Sequence, residues 1–437
     1  MNDKFNLLQH IKTGDSNAVV WMLNIGVEQY WNDSKKICMD HKEQIVVNHV
    51  EELNLLITKK QDYLILRKKP DSLFLKNLET AGFEIPHILC PSVNDEHKSI
   101  SELVLNDQDL LDEITTLSKR KKVYFVPYGV SYTETLIAQR CGMHLIGGTH
   151  EKSKIVNNKI FAKNVADVLG LNVARGIVCH NRIEISEAYE ELRKSYTKVV
   201  VKMPCNSSGQ GIWVIDDEKR LHSVLMIIER MMKIKENDEW LVEGWLEKKV
   251  DLNLQVYVSE DGEVETFSVK EQIVNNVLYV GSVMPARITK EQELQCKEYG
   301  VTIGKYLYDQ GFTGVFGIDA LIGSNDEIIP IIEINGRFTL STYVSFVQSK
   351  FVNKCIYAFY ERFHTNEQFD YSKMQEMLDE ANLLYDGEKG TFIYNSATLN
   401  AGYSGGNVRT FCMAIGDDFE QTEILRKRIC GLFCKIY

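Results

Sequence analysis

Two stretches decide the fold: Gly317-Ile318-Asp319-Ala320-Leu321-Ile322 and Ile331-Ile332-Glu333-Ile334-Asn335-Gly336-Arg337. Each stretch reads as an apolar β-strand that contains a carboxylate. Such runs normally exclude carboxylates, because a buried charge is costly unless it is paired or bound to a metal. Asp319, Glu333 and Asn335 carry hard oxygen ligands of the kind that Mg²⁺ prefers. The two stretches therefore predict a magnesium site that holds a nucleoside triphosphate.

An arginine follows the second acidic strand. Arg337 alternates with Glu333 and Asn335, so the pattern predicts that all three side chains lie on one side of a single strand. An arginine there could bind a carboxylate substrate or an acyl-phosphate through two parallel hydrogen bonds. The competing interpretation is a structural ion pair at the end of a strand.

A lysine followed by a turn rich in serine and glycine is the second candidate site. Lys202 ends the β-branched run 199–201, so a rigid strand would hold its ammonium. The turn Asn206-Ser207-Ser208-Gly209-Gln210-Gly211 offers backbone N–H groups that can approach an anion closely. It lacks both the Walker motif and the GxGxxG fingerprint. A β-turn beside a solvated lysine is the competing interpretation.

The third candidate is an acidic strand that runs into a connector, Glu239-Trp240-Leu241-Val242-Glu243-Gly244-Trp245-Leu246. An adenine ring needs an apolar slot with backbone N–H and C=O groups at its edge, and a strand that breaks supplies both. A ribose needs an acceptor for its hydroxyls, which the carboxylate of Asp251 could provide. The alternative is an edge strand followed by a solvated acidic loop.

The composition is that of a soluble globular protein. The chain has 437 residues, of which 44% are hydrophobic and 25% charged, enough for two to four domains. The net charge of −11 disfavours non-specific nucleic-acid binding. No run approaches the roughly 18 apolar residues that would suggest a membrane span, and the polar N-terminus is not expected to be a signal peptide. The ten cysteines lack zinc spacing, so reduced thiols in a cytoplasm are expected.

The order of predicted elements indicates an α/β (α+β) protein with four domains: 1–150, 151–246, 247–365 and 366–437. Short apolar strands alternate with helices in the first domain, which predicts a mostly parallel, Rossmann-like sheet. Strands are predicted at 18–24, 62–66, 122–127, 198–202, 213–215, 252–258, 264–269 and 277–283. Helices are predicted at 133–141, 159–169, 221–235 and 291–309.

The order and spacing of these motifs resemble the ATP-grasp superfamily. The resemblance covers about residues 150–365 and rests on Lys202-x-x-x-Asn206-Ser207-Ser208-Gly209, on 242–246 and on Glu333-Ile334-Asn335-Gly336-Arg337. The first 150 residues resemble a pre-ATP-grasp domain. The tail, with Tyr394-Asn395 and Gly402–Gly406, resembles the C-terminal domain of pheganomycin-type peptide ligases. The ligase that loads glutamate onto the acyl carrier protein of butirosin biosynthesis belongs to the same broad group.

The resemblance implies a role for each matched residue. Lys159 and Lys202 would grip the ATP phosphates with the loop Ser207, Ser208 and Gly209, and Lys154 is a rival to Lys159. Glu243, Trp245 and Leu246 would line the adenine site. Asp251 would bind the ribose, with Glu247 as a competitor. Asp319, Glu333 and Asn335 would hold Mg²⁺, for which Mn²⁺ can substitute, and Arg337 would contact the acyl-phosphate.

Three further residues or segments are candidates for reading the substrate. Arg287 is a candidate second catalytic arginine, because the strand before Asp319 has glycine where some relatives place an arginine. Arg409 and the loop Gly402–Gly406 complete the set.

The implied chemistry is phosphorylation of a carboxylate by ATP, followed by displacement of phosphate by an amine or a thiol. No protein nucleophile is needed, since positioning and charge neutralisation do most of the work. The expected partners are an amino acid or a peptide, and an acyl carrier protein if the acceptor is a thiol. The oligomeric state is left open, with a dimer as one option. A catalytically silent nucleotide-binding protein and a small-molecule kinase are the rival functions.

Overall fold

The computed structural model describes residues 17–31, 41–205, 211–232, 239–275, 277–365, 368–401 and 406–434. These residues form three β-sheets flanked by helices. The predicted phosphate-binding residues Ser207, Ser208 and Gly209 lie outside the described residues, as does most of the loop Gly402–Gly406. Among the described helices, none has the length and apolar composition needed to cross a bilayer.

The N-terminal part is a five-stranded parallel sheet with the strand order β3-β2-β1-β4-β5. Its strands are β1 (Asn17–Met22), β2 (Tyr63–Ile65), β3 (His87–Leu89), β4 (Lys122–Pro127) and β5 (His144–Leu145). Its helices are α1 (His41–Asn48), α2 (Ser72–Thr80), α3 (Ile100–Leu105), α4 (Gln108–Arg120) and α5 (Tyr132–Cys141), with 3₁₀ turns at Val27–Tyr30 and Val50–Leu56.

Local sequence explains where these helices begin and end. Ser131 and Glu134 form a capping box at the start of α5, which satisfies backbone N–H groups that a helix leaves unpaired. Gly142 ends that helix in the left-handed region, at φ 65°, where glycine has no steric penalty. The predicted helix at 133–141 and the predicted strand at 122–127 agree closely with these bounds.

The next part is a four-stranded antiparallel sheet with the order β6-β9-β7-β8. It contains β6 (Gly176–Cys179), β7 (Val199–Lys202), β8 (Ile212–Ile215) and β9 (Trp240–Gly244). Its helices, with the two that precede it, are α6 (His150–Val156), α7 (Lys159–Val168), α8 (Arg182–Leu192) and α9 (Glu218–Met232).

The third sheet has eight strands in the order β14-β13-β10-β11-β12-β15-β17-β16. They are β10 (Lys248–Val258), β11 (Val264–Asn275), β12 (Leu278–Met284), β13 (Gly314–Gly323), β14 (Ile328–Asn335), β15 (Cys355–Thr365), β16 (Gly390–Asn395) and β17 (Gly406–Gly416). The helices of this part are α10 (Lys290–Asp309), α11 (Leu340–Val344), α12 (Tyr371–Glu380) and α13 (Phe419–Phe433), with 3₁₀ turns at Val347–Ser349 and Ala397–Leu399.

The C-terminal part differs from the small separate domain that the sequence predicts. The predicted boundary at 365 coincides with the end of β15, but β15 pairs with β12 on one side and with β17 on the other. Residues beyond 365 therefore extend the eight-stranded sheet. The sequence could not reveal this continuity, because strand pairing depends on tertiary packing rather than on local pattern. The three boundaries between the predicted domains remain predictions.

One hydrophobic core connects the N-terminal sheet to the eight-stranded sheet. Leu53 and Leu55, from the 3₁₀ turn at Val50–Leu56, pack in the same cluster as Ile356 of β15 and Phe411 of β17. One face of the parallel sheet, which carries Trp21 and Val126, thus shares a core with the larger sheet. This contact positions residues that follow β1 and β4 near the predicted metal site.

Helix α10 packs closely on the eight-stranded sheet because two of its inward positions are glycine. A Cβ at Gly304 would lie 2.5 Å from Val264 Cγ1, and one at Gly300 would collide with the side chain of Thr266. Both neighbours belong to β11, which carries a cavity residue further along.

Replacing Gly304 with alanine is expected to destabilise the protein by about 1–3 kcal/mol, because the added methyl overpacks the interface. Gly431→Ala in α13 is the matched control. A Cβ at Gly431 meets no atom within 4 Å, so that change should be neutral or stabilise by up to about 1 kcal/mol. The urea midpoint of unfolding measures both effects. Equal midpoints for the two variants would contradict the packing argument.

Candidate active site

The two acidic strands pair side by side, and their carboxylates lie opposite each other. In the antiparallel register of β13 and β14, Asp319 is paired with Glu333 and Gly317 with Asn335. Directly opposite residues in such a pair have Cβ atoms about 4.5–5.5 Å apart. The predicted triad is therefore gathered at one end of these two strands.

Asp319 is held by amide side chains from neighbouring strands. Its Oδ1 accepts hydrogen bonds from Asn253 Nδ2 at 2.9 Å and from Gln272 Nε2 at 2.7 Å. Burial, with a smaller effect of the nearby Glu333 carboxylate, raises the pKa of Asp319 to about 6. The two amides fix one oxygen and leave Oδ2 to bind a cation.

Glu333 is paired with a lysine from the helix before the four-stranded sheet. Lys159, the first residue of α7, places Nζ 3.0 Å from Glu333 Oε1, and its side chain is only 3% exposed. The backbone N–H of Lys159 also donates to Pro204 O. Lys159 thus connects the predicted metal site to the end of β7.

The donor set suits Mg²⁺. Two carboxylates and the Asn335 amide face one cavity, and Mg²⁺ commonly uses one or two carboxylates, with waters and phosphate oxygens as the other ligands. A cation would also relieve the repulsion that raises the pKa of Asp319. In the described part of the chain, His, Cys, Asp and Glu side chains form no group of three, so the Asn335 amide would be needed to complete this donor set.

These residues line a cavity of 250 Å³, here called the main cavity. The predicted residues on its wall are Lys202, Trp245, Asp251, Asp319, Glu333, Asn335 and Arg337. Residues that the sequence did not single out complete it: Tyr128, Lys248, Asn253, Gln272, Tyr279, Thr339, Leu340 and Ser341 are among them. The main cavity therefore combines acids, lysines and an arginine in one space.

A smaller apolar slot adjoins the main cavity. Lys202, Trp245 and Asp251 line both, and the slot adds Glu243, Leu246 and apolar side chains such as Ala174 and Ile331. The predicted adenine residues Glu243, Trp245 and Leu246 all line this slot, and their role stays a prediction. Gly244 allows the connector to begin here, since a Cβ at this position would collide with the Tyr196 ring.

The predicted nucleotide residues form ion pairs with one another or with a neighbour. Lys202 Nζ lies 2.5 Å from Glu243 Oε2. Asp251 is contacted by Lys248 at 2.6 Å, and burial is the main reason why the pKa of Asp251 is raised. Glu247, the rival ribose acid, is exposed and does not line either cavity, so the geometry favours Asp251.

The prediction that Arg337 lies on the strand of Glu333 and Asn335 is wrong. Strand β14 ends at Asn335, and Arg337 lies in the following bend. Its side chain still reaches the main cavity, because the bend turns the chain toward the N-terminal sheet. The Gly336 N–H donates to Asn157 Oδ1, which anchors the bend.

Arg287 does not lie with the other predicted catalytic residues. It pairs with Glu271, whose side chain points away from that of the cavity residue Gln272, and stacks 3.8 Å from the Phe419 ring. Arg409 likewise pairs with Glu43 of α1. Arg287 lies in a loop, and the sequence cannot show which surface a loop side chain covers. The presence of an arginine was therefore not enough to place it in the site.

A polar network extends behind Asp319, and its strand residues could have been found in the sequence. Asn253 Oδ1 accepts from Gln255 Nε2 at 2.5 Å and from Ser341 Oγ at 2.8 Å. Asn253 and Gln255 alternate with buried aliphatic residues in β10. Amide side chains at every second position of an apolar strand indicate a buried polar network, because buried amides need hydrogen-bond partners.

A fully buried lysine lies beside this network. Lys270 of β11 is opposite Asn253 and is 0% exposed. Its Nζ donates to Ser345 Oγ at 2.5 Å and to Ser268 Oγ at 3.2 Å. Burial lowers the pKa of Lys270 to about 7.

Two family models match the chain. One, described as L-aspartate–L-methionine ligase, ATP grasp, matches residues 174–335, and one described as Pre ATP-grasp domain matches residues 50–143. The chain belongs to the ATP-grasp ligases. The predicted family, fold class and enzyme type, an ADP-forming ligase, are thereby confirmed, as are ATP and Mg²⁺ as the cofactors of this family.

Individual relatives agree with this assignment. The butirosin acyl-carrier protein–L-glutamate ligase of Niallia circulans is 26% identical over 336 residues, which are 76% of this chain and 74% of the relative. The solved N5-carboxyaminoimidazole synthetase of Staphylococcus aureus with ADP has a TM-score of 0.55 at 14% identity, covering 98% of this chain and 99% of that one. The biotin carboxylase domain of a Hydrogenobacter thermophilus 2-oxoglutarate carboxylase, crystallised as a dimer with MgADP, has a TM-score of 0.56 at 12% identity, covering 95% and 89%. Both structures share the fold.

Replacing Gln272 with leucine should weaken metal-dependent nucleotide binding, because Asp319 loses one of its two amide donors. The Mg²⁺ concentration for half-maximal ADP binding is expected to rise by about 10- to 100-fold. Calorimetric titration of ADP at a series of Mg²⁺ concentrations gives this value. Gln295→Leu, at an exposed site of α10, is the control, and the same Mg²⁺ requirement in both variants would contradict the role of Gln272.

The stability of the protein should rise with pH above about 7 through Lys270. The folded state releases the Lys270 proton near pH 7, whereas the unfolded lysine keeps it up to its ordinary pKa of 10.5. The unfolded state thus binds more protons between these pH values, so unfolding becomes less favourable as the pH increases. Below this window both states are protonated and the contribution is constant.

Urea midpoints at pH 7 and pH 9 test this effect. Lys270→Met should be more stable than the wild type at pH 7, and the difference should shrink at pH 9. Lys76→Met, at an exposed position of α2, should leave the pH trend unchanged. A Lys270→Met protein with the same trend as the wild type would refute the assignment.

Proposed function

We propose that this protein is an ATP-dependent ligase that activates the carboxylate of an amino acid or peptide as an acyl-phosphate. It then passes the acyl group to an amine or to the thiol of a carrier protein. The observation that carries this proposal is the position of Asp319 and Glu333, which face each other in one cavity with Lys202 and Arg337. The adjoining apolar slot supports a nucleotide at its side.

Each charged residue of the site has a separate role in this reaction. Lys159 and Lys202 bind phosphate oxygens, which replace Glu333 and Glu243 as their partners. Asp319, Glu333 and Asn335 hold Mg²⁺, which supplies charge neutralisation on the phosphates when bound. Arg337 binds the carboxylate oxygens and stabilises the negative charge of the acyl-phosphate. No side chain needs to form a covalent bond with the substrate.

The carrier-protein thiol is the acceptor that one relative favours. The butirosin ligase acts on an acyl-carrier protein, and it matches three quarters of this chain. A role in the biosynthesis of an antibiotic or another natural product follows from the same likeness. A dimer is part of the proposal, in line with the biotin carboxylase domain dimer.

Hydroxylamine tests the activation step without knowledge of the acceptor, because it converts an acyl-phosphate to a stable hydroxamate. ATP, Mg²⁺ and amino-acid pools should yield ADP and a hydroxamate in equal amounts. Asp319→Asn and Glu333→Gln should lower this rate by at least about 100-fold, as expected when an electrostatic contact of the transition state is removed. Asp326→Asn, on the exposed turn of the same hairpin, is the control.

The rival functions give different results. Equal rates for the wild type and both acidic variants would support a silent nucleotide-binding protein. ADP release with a phosphorylated product and no hydroxamate would indicate a kinase. Intact-mass measurement of carrier proteins separates the two acceptors: a carrier that gains no acyl mass is not the acceptor.

A further inference from the structure

The N-terminal parallel sheet has a switch point next to the main cavity. From β1 the chain proceeds to β2 and β3 on one side of the sheet, whereas β4 and β5 lie on the other side. The strand order therefore reverses between β1 and β4. In open α/β sheets, ligands bind outside the carboxyl ends of the strands at such a point.

The segments that follow β1 and β4 are joined to each other by hydrogen bonds. Asn24 Nδ2 donates to Gly129 O at 2.9 Å, and the Gly129 N–H donates to Asn24 Oδ1 at 3.2 Å. Trp31 Nε1 donates to Val130 O at 2.9 Å. A Cβ at Gly129 would lie 2.7 Å from Val27 Cγ1, so glycine allows the turn 27–30, which carries Glu28, to sit against the loop after β4.

Arg337 enters this junction from the ATP-grasp part of the chain. Its Nε lies 2.8 Å from Glu28 Oε1, although the angle does not suit a hydrogen bond. Its Nη1 donates to Phe338 O at 2.9 Å, and its guanidinium stacks 5.1 Å from the Tyr128 ring centroid. Three contacts thus hold the guanidinium in one orientation.

Arg337 lines the main cavity, and Glu28 is a partly exposed neighbour behind it. Within the described residues, Arg337 Nη2 donates no hydrogen bond and Glu28 Oε2 accepts none. The Arg337 side chain is 7% exposed and that of Glu28 is 18% exposed. A buried pair that is already neutral best accepts a ligand that carries both charges, because a net charge would be left uncompensated.

We propose that Glu28 and Arg337 together bind the ammonium and the carboxylate of a free α-amino acid, which is the acyl donor. This assignment rests on the ligase function proposed above and narrows it. An α-amino acid separates its two charged groups by a single carbon, which matches an adjacent acceptor and donor. Peptides bound through their C-terminal carboxylate lack the α-ammonium at that carbon, so Glu28 gains no second partner from them.

The reaction at this site balances as a phosphoryl transfer. An oxygen of the α-carboxylate forms a bond to the γ-phosphorus of ATP, and the bond from that phosphorus to the β–γ bridging oxygen breaks. The products are the aminoacyl-phosphate and ADP. Glu28 keeps the amino group protonated, so the donor cannot attack a second aminoacyl-phosphate.

The test compares each active amino acid with its N-acetyl and desamino forms in the hydroxamate assay. The wild type should prefer the free amino acid over both by about 10- to 100-fold in kcat/KM, the range expected for one hydrogen bond to a charged group. Glu28→Gln should remove most of this preference by lowering kcat/KM for the amino acid only. Glu28→Asp should restore part of it. Glu43→Gln, which removes another carboxylate paired with an arginine across a domain contact, should keep the wild-type preference.

Two outcomes overturn the assignment, and they differ. If Glu28→Gln lowers kcat/KM equally for the amino acid and its desamino form, Glu28 only holds Arg337 in place and does not bind the ammonium. If no amino acid gives ADP and hydroxamate with the wild type, the proposed ligase function itself fails and the assignment fails with it.

Discussion

The central constraint is the placement of two carboxylates opposite each other on paired strands in a largely buried setting. Asp319 and Glu333 repel, and burial removes the water that would screen them. Side chains of neighbouring strands donate amide hydrogen bonds to Asp319, and the lysine that begins α7 forms an ion pair with Glu333. Much of the surrounding structure can be understood as the means of keeping these two charges in place.

The site is assembled from all three sheets, which explains why each contributes only a few polar groups. The eight-stranded sheet supplies the acids, the four-stranded sheet supplies Lys202, and the carboxyl edge of the parallel sheet supplies Tyr128. The shared hydrophobic core holds the parallel sheet against the larger one. A change in the relative position of these parts would alter every distance in the cavity together.

The sequence predicts the fold class well, because apolar periodicity and caps are local signals. The strand at 122–127 and the helix at 291–309 lie within one residue of β4 and α10. Short strands such as β3 and β5 were missed, since two or three residues carry no period. Asp319 and Glu333 stand out in the sequence because acids inside apolar strands are rare, whereas the bend at Arg337 could not be foreseen.

Ion pairs between residues that are distant in the chain could not be predicted from the sequence. Glu28 is 309 positions from Arg337 by number, and nothing in the sequence around Glu28 marks it as the partner of this arginine. Arg287 and Arg409 carried the right chemistry but lie against Glu271 and Glu43. Residue type is visible in a sequence, but which carboxylate neutralises which arginine is decided by packing.

The continuity of the eight-stranded sheet has a consequence for how the protein can be divided. Strand β15 spans eleven residues and is covered along its length by β17, whereas the outermost strand, β16, has six residues. A chain cut after 365 would leave the long β15 as an edge with unpaired N–H and C=O groups, which is a template for aggregation. The C-terminal strands therefore protect β15 from edge-to-edge pairing, and the short β16 is the edge that remains on this side of the sheet.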